Sequence, residues 1–261
     1  MAPPGRFESR KDPYAVIAHY YDAEHDHLTE DIVFYRELVE ITGPYVLDMG
    51  CGTARVGLAL AADGKFVIGI DSSDTMLAIA NGKLRSNRVP LELRRLDMRE
   101  LNYSGQFDVV VCALDSFSHL LTIEDQIACL RGVGRALKPH GVLALDVLNP
   151  STDRLAVRDG VLMLQAEFDS ASNQPTKHFV AWRVNYESQI IGVDHIYDAV
   201  NPDGGIKRRQ STFDVRYVYR FELELLLRSA GLALTGIYSD YRRSPYQADG
   251  DRMVVVATRA G

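Results

Sequence analysis

Only three of the 261 residues are cysteines, Cys51, Cys112 and Cys129, and each sits in an apolar or motif context without C-x-x-C spacing. That excludes a disulfide framework and a cysteine-held zinc, and a reduced, cytoplasmic setting is the expectation that follows. No apolar run approaches membrane-spanning length, and the opening residues Met1-Ala2-Pro3-Pro4-Gly5-Arg6 lack the apolar core of a signal peptide. No membrane association is expected. Basic charge is scarce as well, since 29 Lys and Arg face 35 Asp and Glu, for a net charge of −6. Phosphate backbones need a basic face, so no nucleic-acid partner is expected and a small-molecule ligand is the better default. Histidines and acids nowhere fall at metal-ligand spacing, so no metal is implied, and no repeat or low-complexity segment is evident.

What remains is an ordinary globular composition, 46% hydrophobic and 25% charged, in a chain long enough for one α/β domain with a sizeable insertion. Residues 1–12, rich in proline, glycine and charge, read as a mobile tail. Two helices are expected near 15–22 and 29–41. Strands then alternate with helices: strands at 45–49, 66–70, 91–96, 107–113 and 142–147, and helices at 54–63, after Ser72 or Ser73, and from Thr122 to the break at Lys138-Pro139-His140-Gly141. This rhythm means βαβ units and a right-handed, mostly parallel sheet.

Between 151 and 218 the rhythm changes. Segments 161–168, 177–186, 191–200 and 206–218 are rich in β-branched and aromatic residues, with turns at Ser170-Ala171-Ser172-Asn173 and Asn201-Pro202-Asp203-Gly204-Gly205. They predict an antiparallel sheet inserted into a domain made of 13–150 and 219–261. A helix at 221–228, capped by Gly231, and an antiparallel pair at 232–238 and 252–258 complete that domain. The insertion leaves at the carboxyl end of the fifth strand, the edge where open α/β sheets bind ligands, and is therefore expected to form a lid or wall over an acceptor pocket. A homodimer interface built by the same sheet is the alternative.

The chain is organised around Val46-Leu47-Asp48-Met49-Gly50-Cys51-Gly52-Thr53-Ala54-Arg55, where a buried strand becomes a helix through a loop of little bulk. Gly50 and Gly52 can take positive φ and let a ligand lie against the backbone, while the first amides of the helix point at it. The dinucleotide pattern G-x-G-x-x-G/A needs a small residue at 55, where this chain has Arg55. The pattern D-x-G-x-G-x-(G) fits instead. It resembles motif I of the class I S-adenosylmethionine-dependent methyltransferases, with Ala54 where most members carry a third glycine. A nicotinamide-dependent oxidoreductase and a non-catalytic S-adenosylmethionine-binding protein are the rival readings.

Three successive strands end in an acid, Asp48, Asp71 and Asp97. Each alone reads as a loop residue or helix cap; the row suits a ligand spread across neighbouring strands. The resemblance implies a seven-stranded, doubly wound, Rossmann-like sheet and a cofactor, S-adenosyl-L-methionine. It gives Asp71 the two ribose hydroxyls and Asp97-Met98 the adenine amino group and a ring nitrogen. The remaining cofactor residues implied are Tyr21, Asp48, Gly50, Cys51, Gly52, Arg55, Ser72, Met76, Arg99 and Leu114, although Arg55 also reads as a solvated helix residue.

Tyr21-Asp22 and Ser116-Phe117-Ser118-His119-Leu120 resemble segments of the sugar N,N-dimethyltransferases, which points to a small-molecule acceptor methylated on nitrogen or oxygen. Asp115, Phe117 and His119 are the acceptor residues this implies, and Tyr241, in the tract 238–246 that should emerge on the ligand face, is a further acceptor candidate. His119 is the candidate base, with an unperturbed pKa near 6.5, and a helix-entry histidine bonded to backbone is the alternative. Tyr21 is expected to close over the cofactor and assist catalysis, or to be core together with Tyr20.

Overall fold

The computed structural model describes residues 12–170 and 173–260, so the expected tail, apart from Asp12, lies outside the described residues. Strand β1 (Tyr45–Met49) lies at the centre, where Val46, Leu47 and Met49 are sealed from solvent on both faces. Such double burial is what makes a parallel strand a continuous apolar run. β1 pairs in parallel with β2 (Phe66–Asp71) on one side and β4 (Phe107–Cys112) on the other. With β3 (Leu91–Arg95), β5 (Leu137–Leu148), β10 (Leu232–Tyr238) and β11 (Arg252–Arg259), the sheet order is β10-β11-β5-β4-β1-β2-β3. β11 runs antiparallel to both of its neighbours.

Helices cover both faces. Phe34 and Tyr35 of α2 (Glu30–Thr42) and Leu60 of α3 (Arg55–Ala62) pack on Val46, Val109 and Val111. On the opposite face Leu130 and Val133 of α5 (Ile123–Ala136) and Leu227 of α7 (Arg220–Ser229) pack on Leu47, Val110 and Leu143. α4 (Asp74–Asn87) takes its cap from Ser73, whose hydroxyl accepts from the Met76 amide, and α5 takes its cap from Thr122. α5 ends at Ala136 and β5 begins at once at Leu137, five residues before the expected strand start at 142. Lys138 precedes Pro139, and a residue before proline is pushed out of the helical region into extended backbone.

After β5 a short helix that sequence periodicity did not indicate, α6 (Thr152–Arg158), leads into β6 (Leu162–Asp169), β7 (Pro175–Asn185), β8 (Ile190–Val200) and β9 (Ile206–Arg216). These form a separate antiparallel sheet in the order β6-β7-β8-β9. On β7 the buried residues are Thr176, His178, Val180 and Trp182, which alternate with exposed Lys177 and Arg183. One face is therefore turned inward, where Val180 and Trp182 join Ile191, Val193, Leu155 and Tyr217.

A charge network lies where β5 and β11 pair. Asp146 on β5 is fully buried, accepts from the Tyr35 hydroxyl at 3.0 Å and the Leu114 amide at 2.9 Å, and pairs with Arg252 of β11. Arg252 also reaches Asp115 at 2.8 Å. Removing Arg252 would leave the fully buried Asp146 without its cation. Arg252→Ala is expected to destabilise the fold by about 3–5 kcal/mol, read as a lower urea midpoint.

Candidate functional site

A cleft of about 1380 Å³ opens over the carboxyl ends of the parallel strands. A pocket for one drug-sized ligand occupies roughly 300–1,000 Å³, so there is room for two small molecules side by side. At the strand end of the cleft the glycine turn does what the motif demands. Gly50 and Gly52 have φ of 70° and 54°, and a side chain on Gly50 would meet Ser116 Cβ at 2.7 Å. At Gly52 a Cβ would point into open space, which leaves the backbone bare toward the cleft. Ala54 has φ of 64°, a left-handed conformation that explains a glycine preference there and costs alanine about 1 kcal/mol.

The three strand-end acids differ in state. Asp48 is buried and accepts from the Gly57 amide at 2.9 Å; burial raises its pKa to about 7, against the pull of that amide and of Arg55. Asp71 lines the cleft, with its two oxygens taking the Gly52 amide at 2.7 Å and the Ser73 amide at 2.8 Å, and burial raises it above the usual carboxylate range. Asp97 caps a short 3-10 turn by accepting from the Arg99 amide at 2.9 Å and pairs with the Arg99 guanidinium at 2.6 Å. Burial alone would raise Asp97, but the bonds from Arg99 outweigh it and hold the carboxyl low.

Ser72, Met76, Met98, Arg99 and Asp115 also line the cleft. Asp48, Cys51 and Arg55 instead border a small adjoining hollow, and Tyr21, Gly50 and Leu114 line both spaces. Leu114 and Asp115 carry φ of 48° and 61°, so the turn after β4 is strained where it faces the cleft.

Three expectations need correction. Arg55 is not a solvated helix residue: its side chain is 8% exposed, with the guanidinium committed to Asp31 and, at 2.7 Å, to the Leu28 carbonyl. Phe117, expected at the acceptor site, is fully buried in the core, because it is the inward side of the 3-10 turn Ser116–His119. Tyr241, expected there too, packs edge-on against Tyr35 and against Phe34, outside the cleft lining.

His119 does face the cleft, yet its partner is a side chain rather than backbone. Its Nε2 lies 2.9 Å from the Tyr14 hydroxyl, and burial lowers its pKa to about 4. Tyr14, with Glu24, His178, His195, Tyr197 and Phe213, also lines the cleft, and none of these was singled out from sequence. The signal available for His178 was its place on the period-2 inner face of β7, but polar residues on both faces left that register unreadable. Among the described residues no group of three or more His, Cys, Asp or Glu is placed to hold a metal ion, and no helix is long and apolar enough to cross a membrane.

Residues 46–141 match the family profile described as a methyltransferase domain. The chain is 30% identical over 217 residues to YqeM of Bacillus subtilis (strain 168), which is provisionally named a methyltransferase; the match covers 82% of this chain and 84% of that protein. It belongs to the S-adenosylmethionine-dependent methyltransferases. The cypemycin N-terminal methyltransferase of a Streptomyces species is 29% identical over 230 residues, covering 84% of each chain. Among solved structures, the CcbJ methyltransferase from Streptomyces caelestis superposes with a TM-score of 0.80 at 26% identity, over 96% of this chain and 99% of that one. The amino pentose methyltransferase CalS10 and the sugar N-methyltransferase KedS8 share the fold. This methyltransferase therefore uses S-adenosyl-L-methionine as its methyl donor, and the nicotinamide reading is set aside. The bare backbone at Gly52 and the cleft-facing Asp71 fit that cofactor.

The state of Asp48 has a measurable effect on stability. Its folded pKa lies above the unfolded carboxylate value, so the folded protein holds this proton more tightly and stability falls as pH rises from about 4 through about 7. Asp48→Asn is expected to flatten that fall and to raise stability at pH 8 by about 1–2 kcal/mol, with little change at pH 4, in thermal unfolding of the ligand-free protein.

Proposed function

We propose that this methyltransferase transfers a methyl group to an amine nitrogen of a small molecule held between the glycine turn and the inner face of the β6–β9 sheet. The single observation that carries the reading is the continuity of the cleft, which runs from Asp71 and Asp97 past His119 and Tyr14 to His178, His195 and Trp182. Cofactor-sized and acceptor-sized spaces thus open into one another, and the inserted sheet serves as the far wall. The name of the cypemycin N-terminal methyltransferase, a relative that covers most of the chain, supports nitrogen over oxygen.

When bound, S-adenosylmethionine supplies a methyl group on a positively charged sulfur. The chain's own residues then have to bind, align and exclude water. Asp71 is the residue for the ribose hydroxyls, since its two oxygens retain accepting capacity beyond the Gly52 and Ser73 amides. Tyr21, on α1 (Ala18–His25), closes the roof. Its neighbour Asp22 is bound to Thr53 Oγ1 at 2.6 Å and Lys83 Nζ at 2.8 Å, which ties that helix over the glycine turn. His119, with a pKa of about 4, is a weak base at neutral pH; its role in this reading is to work with Tyr14 and orient the nucleophile by hydrogen bonding to it.

The reading is tested by incubating the protein with S-adenosylmethionine and a panel of small amines, amino sugars and their hydroxyl-only analogues, with mass spectrometry of the products. Methylated amines are the expected result; methylation of the hydroxyl-only analogues alone, or of none, overturns it. Asp71→Ala should weaken S-adenosylmethionine binding by about 1.5–3 kcal/mol in titration calorimetry, the range for hydrogen bonds to a charged group. His119→Ala should lower kcat by about 10²-fold, the cost of a misplaced nucleophile, and leave cofactor affinity nearly intact. An equal loss of cofactor affinity would make His119 a support of the cofactor pocket.

A further inference from the structure

Away from the strand ends, the cleft contains a chain of three titratable side chains that the methyl transfer as described does not use. Glu24 on α1 is 9% exposed, and its carboxylate lies 2.6 Å from His178 Nδ1 and accepts from the Tyr197 hydroxyl at 2.8 Å. His178 Nε2 in turn lies 3.0 Å from His195 Nδ1. The rings are held by stacking: His178 lies flat on Tyr197 with centroids 4.1 Å apart, and His195 lies on Phe213 at 4.7 Å.

A neutral His178 gives the chain one direction. An ionised carboxylate only accepts, so the hydrogen between Glu24 and His178 belongs to His178 Nδ1. When His178 is neutral it carries that one N–H, so its Nε2 is bare and accepts from His195 Nδ1–H. His195 Nε2 is then bare as well. It makes no hydrogen bond within the described protein, and His195 lines the cleft.

Burial would raise Glu24, but the bonds from His178 and Tyr197 prevail and keep it ionised. Burial is the main cause that lowers His195 to about 4, so it stays neutral at pH 7. Phe213 on β9 stacks on it, and His25 on α1, His119 on the 3-10 turn and Asp194 on β8 are close enough to interact with it electrostatically.

We propose that Glu24, His178 and His195 form a one-way hydrogen-bond relay whose open end, His195 Nε2, docks an N–H or O–H donor of the methyl acceptor. The substrate class is then a small molecule bearing such a donor in addition to the nucleophile, a refinement that rests on the small-amine reading above. An ether oxygen or a tertiary amine at that position leaves His195 Nε2 desolvated and unpaired, which is how a buried acceptor discriminates. Glu24 and His178 act through His195 and are positioning residues.

Long-range ¹H–¹⁵N correlation of the imidazoles in the full-length wild-type protein tests the relay without any substrate. Both His178 and His195 are expected as neutral Nδ1–H tautomers at pH 7; a His195 protonated on Nε2, or a cationic His178, overturns the proposal. With S-adenosylhomocysteine present, cyclohexanol and cyclohexylamine at 50 mM should move the His195 Nε2 resonance, whereas methoxycyclohexane should not. No movement with either donor, or equal movement with the ether, also overturns it. Glu24→Gln should remove the single-tautomer signature while leaving S-adenosylhomocysteine affinity within about twofold, since its site lies at the strand ends. For any amine found to be methylated, His195→Asn should raise KM at least tenfold with little change in kcat, and an unchanged KM counts against docking. If no amine is methylated, the small-amine reading fails while the tautomer measurement still decides the relay.

Discussion

One buried carboxylate ties together the elements that shape the cleft wall of this methyltransferase. Asp146 joins β5 to α2 through Tyr35, to β11 through Arg252 and to the turn after β4 through the Leu114 amide. That last bond matters most for the site, because Leu114 and Asp115 are held at positive φ where they border the cleft. A strained turn persists only when its surroundings over-determine it, and a charged acceptor in a dry interior does so strongly. The cleft wall is thus set by a group that never faces the ligand.

The inserted sheet uses another kind of constraint. Rings from α1, β8, β7 and β9 stack in a row, Tyr20 on Tyr197, Tyr197 on His178, His178 on His195 and His195 on Phe213. Tyr14 continues the row from the N-terminal turn. Each stacked pair adds about 0.5–1.5 kcal/mol beyond area burial, so the row fastens the sheet to the N-terminal segment across the cleft. Polar tips on these rings provide hydrogen-bonding groups while the ring faces exclude water.

Most of the parallel sheet could be read directly from sequence, because strands buried on both faces advertise themselves as apolar runs. Val109-Val110-Val111 and Val46-Leu47 need no partner to be recognised. The glycine turn was equally readable, since its chemistry is local. What could not be read was anything set by side-chain direction: Phe117 and His119 are two residues apart in one motif, yet one enters the core and the other the cleft. The Tyr14–His119 and Glu24–His178 pairs span 105 and 154 residues, and no local period encodes such distances. Arg55 was misjudged for a related reason, since its partner Asp31 lies on a preceding helix whose docking is a tertiary event.

The ties of the roof have a consequence for motion. Asp12 to Ser73, Asp22 to Thr53 and Asp22 to Lys83 are all partly buried side-chain bonds. Bonds of this kind contribute about 1 kcal/mol each, against a sheet sealed by fully buried strands. Lifting the N-terminal segment breaks these bonds together with the Glu24–His178 bond and the stacking of Tyr14 and Tyr20, so the roof is fastened at several points at once.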